Sequence, residues 1–151
     1  MKNYLVVLLV FFVAVGIFAP VDGFTFGFLS RYEAVTGNNG EVRIDIKEVT
    51  DGKAHYYSYE DAEKIIKFFV VKSPDGIIRA AFDACDVCFP AKKGYIQEGD
   101  FMICKNCGRK FHSNRINVVE GGCNPAPLER TQDGAHLVIR VADILQGGRY
   151  F

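Results

Sequence analysis

The chain of 151 residues has no tryptophan, two methionines, three histidines and no surplus charge of either sign, with 18 Lys+Arg against 18 Asp+Glu. Balanced charge removes the basic excess that holds nucleic acid, so no nucleic-acid partner is expected, and there is no acidic tail. Internal repeats, low-complexity tracts and interdomain linkers are missing, and the length suits one domain plus a targeting segment. There is no Ser/His/Asp set, no phosphate loop and no convincing carboxylate pair. A binding or electron-transfer protein is therefore expected rather than an enzyme. Of the histidines, His55 and His136 sit in strand-like segments without ligand spacing, and His112 is expected to be packed or solvated.

What is present begins with an export signal. Lys2 precedes an unbroken apolar run from Tyr4 to Phe18, closed by Ala19-Pro20 and a polar turn at Asp22-Gly23. The run has the length of a secretory h-region and is short for a bilayer span of about 20 residues. Residues 1–23 are thus read as a hydrophobic helix serving as a signal peptide or a retained membrane anchor. Ala19 and Gly23 are small enough for a cleavage site, although no clean A-x-A precedes either. Residues 24–151 would then lie on the extracytoplasmic side of the cell membrane, or be secreted if the segment is cleaved.

The remainder reads as a small antiparallel β domain. Phenylalanine (13) and tyrosine (7) are plentiful, which favours strands. Turn dipeptides recur at Asn39-Gly40, Asp51-Gly52, Asp75-Gly76 and Asp133-Gly134. Strands are expected over Val42–Val49, Ala54–Tyr59, Ile65–Lys72, Ile77–Asp83 and His136–Val141. Ser58-Tyr-Glu-Asp61 could cap a helix running to Phe69. The β-branched and aromatic run Ile65–Val71 favours a strand instead, with Glu60–Lys64 as its connecting turn. Asp143–Gln146 is expected to form a single helical turn.

All five cysteines fall between positions 85 and 123. Cys85, Cys88, Cys104 and Cys107 spell C-x2-C-x15-C-x2-C, and Cys123 follows on a loop, Gly121-Gly-Cys-Asn-Pro-Ala-Pro127. Two thiolates three residues apart on a tight turn grip one edge of a metal site, and a second turn returned by a hairpin closes it. Gly94-Tyr95 and Glu98-Gly99-Asp100 supply that hairpin. An odd count with paired spacing is a poor disulfide framework, even though export would permit disulfides. No βαβ pattern suggests a thioredoxin-like pair, and Phe89 and Gly108, not histidine, follow the pairs, which removes covalent haem. Zinc and a [2Fe–2S] cluster both accept four thiolates, so the metal stays open between them. Cys123 is expected beside the centre, with direct ligation as the alternative. Lys92, Lys93, Lys105, Arg109 and Lys110 flank the pairs and are read mainly as solvated. Asp83 and Asp86 are read as solvated residues of the first turn.

Several strings resemble the FtrD-like family of membrane iron–sulfur proteins. They run from Ser73-Pro-Asp-Gly-Ile-Ile-Arg-Ala-Ala-Phe-Asp-Ala-Cys-Asp-Val-Cys88 through Gly94-Tyr-Ile-Gln-Glu-Gly-Asp100 and Ile103-Cys-Lys-Asn-Cys-Gly108. They end at Gly121-Gly-Cys-Asn-Pro-Ala-Pro-Leu128. The resemblance implies an exported, membrane-associated domain binding an iron–sulfur centre, partnered by a membrane redox or metal-transport protein. The architecture also resembles a Rieske domain, with Cys107-Gly108 and Phe111 in the second knuckle and Pro125-Ala-Pro-Leu128 as a covering loop. A Rieske centre uses one cysteine and one histidine per knuckle, whereas this chain has cysteine at all four places. The expected function is an iron–sulfur electron-transfer or metal-handling module, with a zinc-stabilised, partner-binding domain (zinc ribbon-like) as the alternative.

Overall fold

The fold is organised around one strand that the sequence makes apolar on both faces. In the computed structural model, which describes residues 30–62 and 64–151, ten strands form three sheets. They are β1 (Tyr32–Val35), β2 (Glu41–Asp45), β3 (His55–Asp61), β4 (Lys64–Lys72) and β5 (Ile78–Phe82). After these come β6 (Tyr95–Glu98), β7 (Phe101–Cys104), β8 (Lys110–His112), β9 (Thr131–Asp133) and β10 (His136–Arg140). One α-helix, α1 (Val141–Gln146), follows β10. The N-terminal hydrophobic helix expected over 1–23 lies outside the described residues. Among those described, no helix is long and apolar enough to cross a membrane.

The largest sheet has the order β1-β3-β4-β5, and the others are β2-β10-β9 and β6-β7-β8. Strand β4 divides its side chains by period two. Ile66, Phe68 and Val70 enter one core with Val42, Ile44, Leu137 and Ile139 of the β2-β10-β9 sheet. Phe69 and Val71 face the other way, into a second core with Tyr95, Met102, Ile116 and three of the cysteines. A strand covered on both faces reads as a continuous apolar run rather than an alternating one, and that is the character of Phe68–Val71, all four of them buried.

The strand reading of 65–72 therefore holds and the capped-helix alternative does not: Tyr59 pairs with Ile66 and Tyr57 with Phe68 in an antiparallel ladder. The connection is tighter than Glu60–Lys64, since β3 continues through Asp61 and β4 starts at Lys64. Two expectations need correction. The strand from Val42 stops at Asp45, whose carboxylate accepts the Lys47 N–H at 2.9 Å and caps a 3-10 turn over Ile46–Val49. Nor is the architecture purely antiparallel, because β1 runs parallel to β3, with Tyr32 opposite Tyr56. The final helix starts at Val141, two residues before the expected turn.

Candidate metal centre

The first cysteine pair is launched by the end of β5. Asp83 and Ala84 carry the chain into Cys85, and the Phe89 N–H donates to the Cys85 carbonyl at 3.2 Å, closing the turn. Within it the Cys88 N–H points at Cys85 Sγ, also at 3.2 Å. Pro90 lies in the first positions of the following 3-10 turn, Phe89–Ala91, and a left-handed Lys92 (φ 52°) ends it.

The second pair sits on the β7–β8 hairpin. Cys104 closes β7, its carbonyl accepts from Gly108 N–H at 2.8 Å, and its own N–H donates to Arg109 at 3.0 Å. This loop is tied to the first pair's segment by the Lys105 N–H donating to the Gly94 carbonyl at 2.9 Å. Gly108 has φ +72°, the left-handed conformation that lets the chain reverse after Cys107.

The third segment lies alongside β5. Phe82 N–H donates to the Ala126 carbonyl at 2.8 Å, and Ala126 N–H to Ala84 at 2.9 Å. Just before this ladder, Gly121 and Gly122 take φ +81° and +63° and turn Cys123 inward. Its carbonyl accepts the buried Tyr95 hydroxyl at 2.6 Å.

All five sequence-predicted cysteines thus meet, and the described thiols are free of disulfides. Their sulfurs form two trios that share Cys88. Cys85, Cys88 and Cys104 lie within 4.8 Å of one another, as do Cys88, Cys107 and Cys123. Cys85 and Cys104 are buried, Cys88 is half-buried and Cys107 is exposed. Burial pushes the free Cys104 thiol up to about 11 and Cys123 to about 12. The Arg109 N–H lowers Cys107 to about 7.

The donor set fits a thiophilic metal. A metal–sulfur bond of about 2.3 Å in a tetrahedron sets sulfurs about 3.8 Å apart, and Cys88 Sγ to Cys123 Sγ is 3.8 Å. His112 belongs to neither trio; its Nδ1 accepts the Asn114 N–H at 3.2 Å and caps a 3-10 turn.

Sequence reasoning missed the group that braces the centre. Asp83 is buried rather than solvated, at 4% exposure. It takes a hydrogen bond from the Tyr32 hydroxyl, the Tyr95 N–H at 2.6 Å and the Arg31 guanidinium at 2.5 Å. Burial pushes its carboxyl up, and those three donors oppose the shift. Arg31 also donates to the Tyr95 carbonyl at 2.6 Å, so one ion pair fixes the strand carrying the tyrosine that holds Cys123. The available signal was an acid at the end of an apolar strand followed by Gly94, where a Cβ would collide with the Asp83 carboxylate. Asp86 is exposed as expected, but accepts the Tyr150 hydroxyl at 2.7 Å.

A cavity of about 370 Å³ opens beside the inner trio and is bordered by Lys67, Lys92 and Lys93. Lys92, Lys93, Lys105 and Arg109 are exposed, and Lys110 pairs with Glu98 at 3.2 Å.

The membrane iron–sulfur-containing FtrD-like family matches residues 49–151, a span that includes every cysteine. The chain belongs to that family. No curated protein matches it. Among solved structures it is similar to a quaternary ammonium Rieske monooxygenase, CntA, crystallised with an inhibitor, at TM-score 0.44 and 13% identity. That likeness covers 66% of this chain and 30% of the enzyme.

Proposed function

We propose that this FtrD-like chain carries a [2Fe–2S] cluster on Cys85, Cys88, Cys104 and Cys107 and passes electrons to or from a membrane redox or iron-transport protein. Residues 1–23 export or anchor it, and residues 24–151 act as the metal-binding domain on the extracytoplasmic side. The carrying observation is the convergence of both C-x2-C pairs: the sulfurs of Cys85, Cys88 and Cys104 lie within 4.8 Å of one another, and that of Cys107 lies within 4.8 Å of the Cys88 sulfur. Cys85 and Cys104, the first member of each pair, would hold the buried half. Cys88 and Cys107 would hold the half nearer solvent. The cluster, when bound, supplies one-electron chemistry. The chain's own residues bury the Cys85 and Cys104 thiols and hold the loops through Asp83 and Tyr95.

Four sulfur ligands and no imidazole place the expected potential below the range of about −150 to +300 mV held by histidine-ligated centres. A second reading, a zinc-stabilised domain that binds a partner, is favoured by the small β6-β7-β8 sheet. Its ligand-bearing hairpin is of the kind a structural ion supports. Anaerobic purification with iron, sulfide and zinc analysis, visible spectra and voltammetry decides between them. Two irons and two acid-labile sulfides per chain, with a potential below the histidine-ligated range, are expected. A colourless protein with stoichiometric zinc would overturn electron transfer.

A further inference from the structure

We propose that Cys123 is a reserve ligand for the outer half of the centre, able to take the place of Cys107 but not of Cys85 or Cys104. The inference rests on the metal-centre reading above and concerns which thiols compete for one position.

The two trios are not equivalent. Cys123 shares the outer one with Cys88 and Cys107 and has no place in the inner one. It is 3.8 Å from Cys88, the sulfur common to both trios. A metal-bound Cys88 would therefore put Cys123 at ligand spacing on the outer side, where Cys107 also lies.

The two competitors are held differently. Cys107 is exposed, within an exposed run from Lys105 to Lys110. Cys123 is buried at 8% exposure. Its loop is clamped by the Tyr95 hydroxyl on its carbonyl and by the Ala126–Ala84 and Phe82–Ala126 hydrogen bonds. The more exposed thiol is thus the one with a buried, pre-positioned substitute. A small buried residue with only a packing role would not need its sulfur at ligand spacing from the shared cysteine.

The exchange balances without an oxidant. Cys123 gives up its thiol proton and bonds the metal through Sγ, while the Sγ bond of Cys107 breaks and that thiolate takes up a proton. The number of thiolate ligands is unchanged, and no electron moves.

The test compares metal content in the full chain purified anaerobically, with folding checked by circular dichroism. Cys107→Ala should keep iron and sulfide within about twofold of wild type, with changed visible and EPR spectra, because a thiolate replaces a thiolate. Cys107→Ala/Cys123→Ala should lose the centre, as should Cys104→Ala. Cys123→Ala alone should retain it. Loss of iron from Cys107→Ala down to the level of the double variant would overturn the inference, and so would full retention by the double variant. If the wild-type protein carries zinc and no iron, the electron-transfer reading fails. The same four variants then decide the inference by zinc content.

Discussion

At the scale of single residues, the burden falls on side chains that hold the cysteines rather than on the cysteines alone. Tyr95 is fully buried, and its hydroxyl satisfies the Cys123 carbonyl at 2.6 Å. Tyr95→Phe removes one hydrogen bond from a buried acceptor, which should cost about 1 kcal/mol. Urea denaturation of the metal-loaded protein reads that loss, and the visible spectrum should shift because the Cys123 loop relaxes. A second residue prediction concerns acid. Asp75 receives both Nη1 and Nη2 of Arg79 at 2.7 Å. The Arg79 hydrogen bonds hold its carboxyl down to about 2 from an ordinary 3.8. A depressed folded value means the contribution is complete above about pH 4 and disappears as pH falls toward 2. Asp75→Asn should therefore be weaker than wild type at neutral pH, and the two should converge near pH 2. Equilibrium unfolding across that range is the check; parallel curves would contradict it.

At the scale of elements, close packing sets limits that composition does not reveal. The turn after α1 brings Gly147 against the ring of Phe82, where an added Cβ would collide with Cδ1, Cε1 and Cζ. Because the φ of Gly147 is an ordinary −72°, Gly147→Ala tests space alone. Overpacking should destabilise by about 1–3 kcal/mol while metal content stays unchanged, a split that calorimetry and elemental analysis resolve. Elements with strong local signals were legible in the sequence. Ile65–Lys72 carries enough β-branched and aromatic residues to prevail over the Ser58 capping pattern, and Asp133-Gly134 begins the β9–β10 hairpin turn as expected. Ile46 was not legible as a turn residue. Its place in the alternating pattern fits a strand, and the Asp45 cap ends that strand through a side chain that is equally plausible in either conformation. The parallel pairing of β1 with β3 was hidden for another reason, since partner choice across more than twenty residues leaves no periodic mark. The cysteine spacing exposed the thiols, while the Arg31–Asp83–Tyr95 brace depends on contacts spanning 52 and 64 positions.

At the scale of the whole molecule, the two cores differ in how independent they are. The first joins β2 and β10 to one face of β4 and β5 using Val, Ile, Leu and Phe. None of its buried residues is a cysteine, so no candidate metal ligand lies within it. The second includes Cys85, Cys104 and Cys123 among its buried residues and supports strands of only four, four and three residues. So short a sheet has little stability by itself, and a metal bridging its hairpin to β5 and the Cys123 loop would contribute folding free energy directly. Stripping the metal under reducing conditions should therefore loosen one side of the molecule selectively. Hydrogen exchange should accelerate over 94–124, while β4, β5 and β10 keep most of their protection. Phe69 and Val71 belong to the second core but are also held in the β4 ladder, so their amides should follow the protected side. Uniform acceleration throughout would mean that the two cores unfold as one unit. No change over 94–124 would mean that the metal does not support the hairpin, and the zinc-stabilised reading would lose its structural basis.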